Sequence, residues 1–253
     1  DFENWKEKFW TAIVARFNPD AANTDNADTA HGPKKVTLNF RTKQSSGKAK
    51  VPPSSQMNSS TKHFYTAATV TVLTNKELRP GSKEAGSTRH VELDLGRSGI
   101  TYETADNLAV LPENAAAVVE ALAKNQGYDL NTVVECEAAP TATQPFKHLF
   151  PTPCSVRDIL TKYLDLSGHI RHGAAHHLLA YVQDAKQRDW LENLLSKDKR
   201  SVFKANIEER ALGFADLLCG AGELSSAKVP LDDLLHIVPF LQPRYYTISS
   251  SSS

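Results

Sequence analysis

The residues best suited to chemistry lie near the end of the sequence, where Arg-Tyr-Tyr-Thr at 244–247 precedes a run of serines. Arg244 offers a planar, permanently charged fork that matches phosphate oxygens. Tyr246 offers a flat ring that can stack on another ring system, and Thr247 adds a hydroxyl. A dinucleotide with a flat redox ring needs this combination of charge, aromatic face and hydroxyl groups. Composition supports equally well an edge strand whose tyrosines pack on helices.

The same four residues belong to RYYTIS, which has the composition of a strand and follows the apolar, proline-punctuated stretch LLHIVPFLQP. Strand alternation places Arg244 and Tyr246 on one face and Thr247 on the other. All three side chains can therefore contact one ligand only if the strand twists or ends there.

Nine histidines raise the alternative of a metal site, above all in the stretch HIRHGAAHH. His172 and His176 are four residues apart and would share a helix face. No third ligand follows from the spacing, so a solvated or capping cluster is the favoured interpretation. No sequence motif of hydrolases, kinases or dinucleotide-binding Rossmann domains is present either.

The cysteines Cys136, Cys154 and Cys219 are odd in number and widely spaced. This pattern argues against a disulfide framework or a structural zinc site and favours a reducing compartment. Cys154 follows a proline and precedes a predicted helix start, where a thiolate could be mildly activated. A small buried thiol is the more common outcome for such a residue and is the favoured interpretation.

Composition places the chain among ordinary soluble proteins. Its 253 residues include 29 Lys+Arg and 29 Asp+Glu, so net charge gives no reason to expect a nucleic-acid partner. The sequence has no run of eighteen apolar residues and no signal-peptide pattern, so we expect no membrane contact by this segment.

The first half of the chain is predicted to be mostly strand. A helix is predicted over 1–17, a loop over 18–35, a strand over 36–40 and a mobile polar stretch over 41–62. Strands are expected at 64–74 and 89–95, and two short ones within 99–112. Strands that succeed one another without helices between them favour an antiparallel sheet or barrel.

The second half is predicted to be helical. The first helix should start at an Asn114 cap and stop at Gly127, and the next should start at the capping box of Ser155 and Asp158. Further helices are expected near 174–185, 187–197 and 201–218, and one after Pro230. A helical block between strands of one sheet is most simply an insertion into a barrel.

The terminal stretch LQPRYYTISSSS resembles the R-x-Y-[ST]-x-S-S flavin signature of diflavin reductases. The likeness extends in family order through DFENWKEKFW, TRHVELDL, TYETADNLAVLPEN and FPTPCSVRDILTKYL. It implies an α+β fold, with an incomplete antiparallel FAD-binding barrel and an inserted all-helical connecting domain. The implied segments are a helix leaving an FMN domain (1–18), the first part of the barrel (36–112), the connecting domain (113–240) and the return to the barrel (241–253).

The resemblance also assigns residues. Arg244 would clamp the FAD pyrophosphate, Tyr246 would stack on the isoalloxazine, Thr247 would lie near its reactive edge, and Tyr245 would line the same pocket. Two further arginines are implied, Arg210 beside the FAD and Arg89 at the NADP. No catalytic residue and no metal are implied within this segment.

The sequence departs from the family pattern at several positions and in length, and the usual Pro-Pro after the connecting-region helix is absent at SGHIRHG. The family's Gly-Asp-His is Ala105-Asp106-Asn107 here, and Thr247 replaces a serine. The family continues past the serines with further strands and an NADPH-binding domain, and an FMN domain precedes it. We therefore expect the chain to be a fragment that is inactive alone, or the ordered part of a longer chain.

The resemblance implies a role in electron transfer from NADPH to FAD, then to FMN in the absent upstream domain, and then to a haem protein such as cytochrome P-450. The full-length enzyme would lie at the cytoplasmic side of the endoplasmic reticulum membrane. Two alternatives remain open. One is a sulfite-reductase-type or other diflavin reductase, and the other is a non-catalytic helical scaffold that binds no flavin.

Overall fold

The computed structural model describes residues 36–45, 51–79, 86–142, 145–196 and 199–251. The helix predicted over 1–17 and the loop over 18–35 lie outside these residues. Seven strands are described: β1 Phe40–Gln44, β2 Thr71–Glu77, β3 Arg89–Asp94, β4 Asn107–Val110, β5 Val133–Ala138, β6 Cys154–Ser155 and β7 Arg244–Thr247.

The described strands form three separate antiparallel sheets. They have the orders β1-β5-β6, β2-β3 and β4-β7. The combination of helices with antiparallel sheet is therefore confirmed. No closed barrel exists among the described strands, so the barrel with its inserted helical domain, and the four segment boundaries, remain predictions.

The helices are short and most follow β5. They are α1 His63–Thr66, α2 Ala116–Gln126, α3 Val156–Asp158, α4 His172–Leu178, α5 Ala185–Leu195, α6 Arg200–Phe203, α7 Phe214–Leu218 and α8 Leu231–Ile237. Two of them continue as π-helical turns, α3 into Ile159–Tyr163 and α6 into Lys204–Glu208. Two 3₁₀ turns, Ser54–Gln56 and Ser59–Thr61, precede α1.

One apolar core joins the helices to the sheet β1-β5-β6. Many of its fully buried members come from α2, the π-helical turn after α3, α4, α5, α7 and α8, and they include Leu122, Leu160, Leu178, Leu191, Phe214 and Leu234. Helices this short owe most of their stability to such packing rather than to intrinsic propensity. None of the residues in β2, β3, β4 and β7 is buried.

Several strand predictions were wrong. The first strand begins at Phe40 and not at 36, so part of the predicted mobile stretch is β1. The predicted strand over 64–74 opens instead with a helical turn, because Asn58 caps the preceding 3₁₀ turn and Phe64 packs into the core. Only one strand, β4, forms within 99–112.

The strand β5 was not predicted, although its alternation could have revealed it. Val134 and Cys136 are buried while Glu135 and Glu137 are only partly covered. The period-two pattern was missed because the cysteine and the two glutamates are not strong β-forming residues.

Some helix ends followed local signals and others did not, since the helix predicted near 174–185 spans His172–Leu178. Gly127 ends α2 in a left-handed conformation (φ 77°), and the Ser155 hydroxyl accepts a hydrogen bond from the Asp158 amide at 3.0 Å, as predicted. Asn114 does not cap α2. Its buried amide donates to the carbonyls of Leu160 (2.7 Å) and Leu164 (2.6 Å) and ties the start of α2 to the π-helical turn.

The helix predicted over 201–218 is interrupted. The chain is helical to Glu208, then turns at Ala211, which has a positive φ of 54°, and resumes in α7. The close approach of Gly213 to the backbone at Leu166 and Ser167 leaves no room for a side chain there. The helical block is therefore a set of short segments around the core.

Candidate functional site

The strand that carries the terminal motif, β7, pairs in regular register with β4. The partners are Val110 with Arg244, Ala109 with Tyr245, Leu108 with Tyr246 and Asn107 with Thr247. Because the register has no bulge, side chains alternate strictly between the two faces of this sheet. Arg244 and Tyr246 thus share one face, and Tyr245 and Thr247 share the other.

The face that carries Arg244 and Tyr246 is accessible. Tyr246 is 56% exposed, and the guanidinium of Arg244 forms no ion pair with any described residue. A ring and a permanently charged fork, two positions apart on one open face, can bind a molecule that carries both a flat ring system and phosphate groups.

The opposite face holds Thr247 in a hydrogen bond. The Thr247 hydroxyl donates to Oδ1 of Asn107 at 2.9 Å, directly across the strand pair. These two residues are two of the positions at which the sequence departs from the family pattern. The structure shows that they are partners, a coupling that the sequence reading missed.

The turn before β4 fixes the end of the strand pair. Ala105, where the family pattern has glycine, adopts a left-handed conformation with φ 70°. The carboxylate of Asp106 accepts a hydrogen bond from the Glu103 amide at 2.8 Å. The backbone carbonyl of Asp106 accepts one from the Ile248 amide at 2.8 Å. The backbone therefore retains the conformation that glycine would adopt without strain.

The serine run is also tied to this turn. The hydroxyl of Tyr102 lies 2.9 Å from that of Ser250 and donates to the Ser251 carbonyl at 3.0 Å. The chain after β7 is thus held beside β4 as far as Ser251. Tyr102 was not among the predicted site residues, and only its position shortly before the Ala105 turn could have indicated its role.

The two other predicted cofactor contacts lie on other elements. Arg89 belongs to the sheet β2-β3, where Nε donates to Asn75 Oδ1 at 2.5 Å and Nη1 lies 3.7 Å from Glu77 Oε2. Arg210 follows the π-helical turn Lys204–Glu208, and its Nη1 pairs with Glu223 Oε1 at 2.9 Å. Both arginines already have acidic partners, whereas Arg244 has none among the residues that the structure describes.

The thiols are not activated. Burial raises the pKa of Cys136 and of Cys154 to about 12, and burial also raises the pKa of Cys219. The favoured interpretation of Cys154 as a small buried thiol is therefore confirmed, and the alternative of mild activation is not, because loss of hydration at this position outweighs any benefit from the helix start. All three cysteines are free.

The histidine pair forms an aromatic contact. The rings of His172 and His176 meet edge to face with centroids 4.9 Å apart, and His172 also meets Phe203 at 5.1 Å. In the part of the chain that the structure describes, no three His, Cys, Asp or Glu side chains are grouped to hold a metal ion. Nor does any helix in that part have the length and apolarity needed to cross a membrane.

Comparison with known proteins identifies the kind of domain to which this site belongs. Residues 58–253 match the family described as "FAD binding domain". The chain is 30% identical over its whole length to human NADPH–cytochrome P450 reductase and to that of the rabbit Oryctolagus cuniculus. It is 29% identical over its whole length to the enzyme of the trout Salmo trutta.

The chain belongs to the diflavin reductase family. The match with the FAD binding domain family includes both β4 and β7, the two strands that carry the candidate site. The chain spans 37% of the human relative, 36% of the rabbit one and 41% of the trout one.

Proposed function

We propose that this diflavin reductase chain holds FAD on the face of β7 that carries Arg244 and Tyr246. The observation that supports the proposal is the accessibility of these two side chains on one face of a regularly paired strand. The described contacts leave both side chains available to a ligand.

The residues present fit the two ends of such a cofactor. The guanidinium of Arg244, which no described acid pairs, suits the pyrophosphate, since a bidentate, charge-assisted hydrogen bond needs a donor fork without a competing acid. The ring of Tyr246 suits a stacking contact with the isoalloxazine. When bound, FAD would supply the two-electron to one-electron conversion between NADPH and FMN.

The remaining predicted contacts are part of the proposal, but each requires its side chain to reach around the strand or to share an existing partner. Tyr245 and Thr247 lie on the opposite face of β7, so each would reach the cofactor only around the end of the strand. Arg210 beside the FAD and Arg89 at the NADP would each have to share an existing acidic partner with the cofactor.

For the full-length protein we propose the electron path from NADPH through FAD and FMN to a haem protein such as cytochrome P-450, at the cytoplasmic side of the endoplasmic reticulum membrane. The names of the relatives support this path over a sulfite-reductase-type acceptor. A reduction assay that compares cytochrome P-450 with sulfite as the final acceptor separates the two.

The binding proposal is tested by titrating FAD into the full-length protein and its variants and following the quenching of flavin fluorescence. Arg244→Gln should weaken FAD binding roughly tenfold or more, because it removes charge-assisted hydrogen bonds. Arg157→Gln is the control, since Arg157 is also exposed but lies on α3 beside Glu120.

Two tyrosine variants test which face of β7 is used. Tyr246→Leu should weaken FAD binding by about tenfold, through the loss of stacking, and Tyr245→Leu should have a smaller effect. A larger effect of Tyr245→Leu would place the cofactor on the other face, and equal effects would contradict the assignment to the Tyr246 face. If the full-length protein takes up no FAD at all, the proposal is wrong and the scaffold alternative stands.

A further inference from the structure

The segment before β2 lies against the core as a strap, a name that we use for residues 54–66. It comprises the two 3₁₀ turns and α1. Among the described residues, two backbone hydrogen bonds join the strap to distant chain, and both involve His148. The Asn58 amide donates to the His148 carbonyl, and the His148 amide donates to the Gln56 carbonyl, each at 2.8 Å. The other backbone bonds of the strap are local.

One aromatic ring anchors the strap. Phe64 is buried and meets Tyr163 edge to face, with ring centroids 4.8 Å apart. The helix α1 has only four residues, too few to be stable without packing. The strap is therefore held chiefly by one buried ring and two backbone bonds. Its release breaks far fewer contacts than the unfolding of a core helix.

Buried polar atoms without partners are concentrated at the strap. Among the described residues, four of the five buried side-chain polar atoms that have no hydrogen-bond partner belong to the strap or to His148. They are Thr61 Oγ1, His63 Nε2, Tyr65 Oη and His148 Nδ1. Each of these atoms has lost its hydration without replacement, which is unfavourable. Opening of the strap would give them hydrogen bonds with water and offset part of the cost of opening.

The two histidines at this contact are suited to sense pH. A neutral imidazole can leave one ring nitrogen without a partner, whereas the imidazolium needs an acceptor at both nitrogens. His148 Nδ1 and His63 Nε2 have none, and the ring neighbours are Phe146 at 4.9 Å and Phe64 at 4.2 Å. Burial lowers the pKa of both histidines, and the Leu241 backbone offsets part of this effect at His63. Protonation therefore favours the open strap.

The other titratable groups packed with the strap stay neutral in the range in which histidine titrates. Tyr65, Tyr163 and Cys136 lie close together, and burial raises the pKa of each of them, that of Cys136 to about 12. No described carboxylate raises the pKa of His63 or His148. The closed strap thus offers the two imidazolium rings no compensating negative charge.

Further ionisable groups border the strap. The strap forms part of the wall of a cavity of about 540 Å³, and the same wall includes His169, Arg171 and His236. Arg171 and the exposed Lys62 and Lys147 are positively charged throughout the range and cannot cause a change within it. The two histidines of the cavity wall are the alternative pH sensors that an experiment has to separate from His63 and His148.

We propose that the strap is a pH-sensitive element, closed while His63 and His148 are neutral and opened when they are protonated. Because both folded pKa values are lowered, the closed state is favoured above the ordinary histidine pKa of 6.5, and this preference is lost as the pH falls below it. Opening would widen the cavity that Ser60 and Thr61 line, and it would free the chain that leads into β2. This behaviour does not require a bound flavin.

Amide hydrogen exchange of the full-length protein, measured at about pH 5.5 and about pH 7.5, tests the proposal. After correction for the intrinsic pH dependence of exchange, the Asn58 and His148 amides should open more often at the lower pH, by up to about tenfold for each histidine. The Val238 amide, which donates to the Leu234 carbonyl of α8, is the control and should not change. Equal protection of the strap at the two pH values, or an equal loss at Val238, would overturn the proposal.

Histidine variants assign the effect. The double variant His63→Gln/His148→Gln should lose the pH dependence, and His90→Gln, at an exposed histidine of β3, should keep it. Loss in His90→Gln, or persistence in the double variant, would contradict the proposal, since persistence would make His169 or His236 the sensor. Imidazole NMR of the unaltered protein needs no variant. His63 and His148 should both titrate below 6.5 in the folded state, and an ordinary or raised pKa for either would also overturn the proposal.

Discussion

The helical region and the two strand pairs are stabilised in different ways. In the helical region, side chains such as Leu122, Ile159 and Phe150 are completely buried. In the pairs β2-β3 and β4-β7, the strands carry no buried residue, and Leu73 and Val91 are 64% and 50% exposed. Packing holds the first region, whereas backbone pairing and local polar contacts hold the second.

Because of this difference, the residues that stabilise the fold are not the residues of the candidate site. The motif residues lie on β7, which contributes nothing to the core, so changes to them should leave the folded state largely intact. Changes in the helical region should unfold the protein without altering the chemistry of the β7 face. The predictions below test this separation, from the largest expected effect to the smallest.

Phe150→Ala should have the largest effect. Phe150 is fully buried, stacks on Tyr163 with ring centroids 5.1 Å apart and meets Phe240 at 6.3 Å. Truncation leaves a cavity and should lower the free energy of unfolding by about 3–5 kcal/mol. The matched control is Val91→Ala on β3, which should change it by less than about 0.5 kcal/mol. Urea denaturation measures both, and similar losses would contradict the contrast between the two regions.

Asn114→Ala should have an intermediate effect. The variant leaves two buried carbonyls, those of Leu160 and Leu164, without their donor and should lower the free energy of unfolding by about 1–3 kcal/mol. Asn206→Ala is the control, since Asn206 donates to the Val202 carbonyl in exposed surroundings. If both variants were equally mild, the buried amide would not be what joins α2 to the π-helical turn.

Ala105→Gly should stabilise the β4-β7 pair. Alanine at φ 70° is strained, so glycine should strengthen the local structure by about 0.5–1 kcal/mol. The Ile248 amide, which donates to the Asp106 carbonyl, should then exchange with solvent roughly two- to fivefold more slowly.

The same substitution in a helix gives the matched control. Ala121→Gly, at an exposed position of α2, should destabilise the protein by about 1 kcal/mol because glycine is a poor helix former. Faster exchange at Ile248 in Ala105→Gly would show that the left-handed turn is not the strained element.

Local signals predicted the elements whose ends are defined by nearby residues. Gly127 and the Ser155–Asp158 pair mark helix ends within a few positions, and β3 and β7 show alternation or β-forming residues in one short window. The strand composition of RYYTIS predicted β7, and the family resemblance assigned the flavin motif to it. These features need no knowledge of distant residues.

The errors concern contacts between residues far apart in the sequence. Asn114 has the side chain of a helix cap, but its partners lie 46 and 50 residues later. The bond between Thr247 and Asn107 spans 140 residues, so two apparent departures could not be recognised as a pair. Which face of β7 is open likewise depends on its register with β4.

The smallest expected effect concerns Glu77, whose titration tests which interactions stabilise the β2-β3 pair. Its carboxylate accepts hydrogen bonds from the Ser87 hydroxyl and from the amides of Arg79 and Thr88, both at 3.0 Å, and these lower its pKa from 4.5 to about 2. A carboxyl with a lowered folded pKa stabilises the fold above its unfolded pKa, and this contribution disappears as the pH falls from about 4.5 to about 2. Carboxyl carbon NMR should show Glu77 titrating near 2 in the folded protein and near 4.5 in urea. Ser87→Ala should shift the folded value upward, whereas an unchanged value would mean that the amides alone hold the carboxylate and that backbone geometry fixes this strand pair.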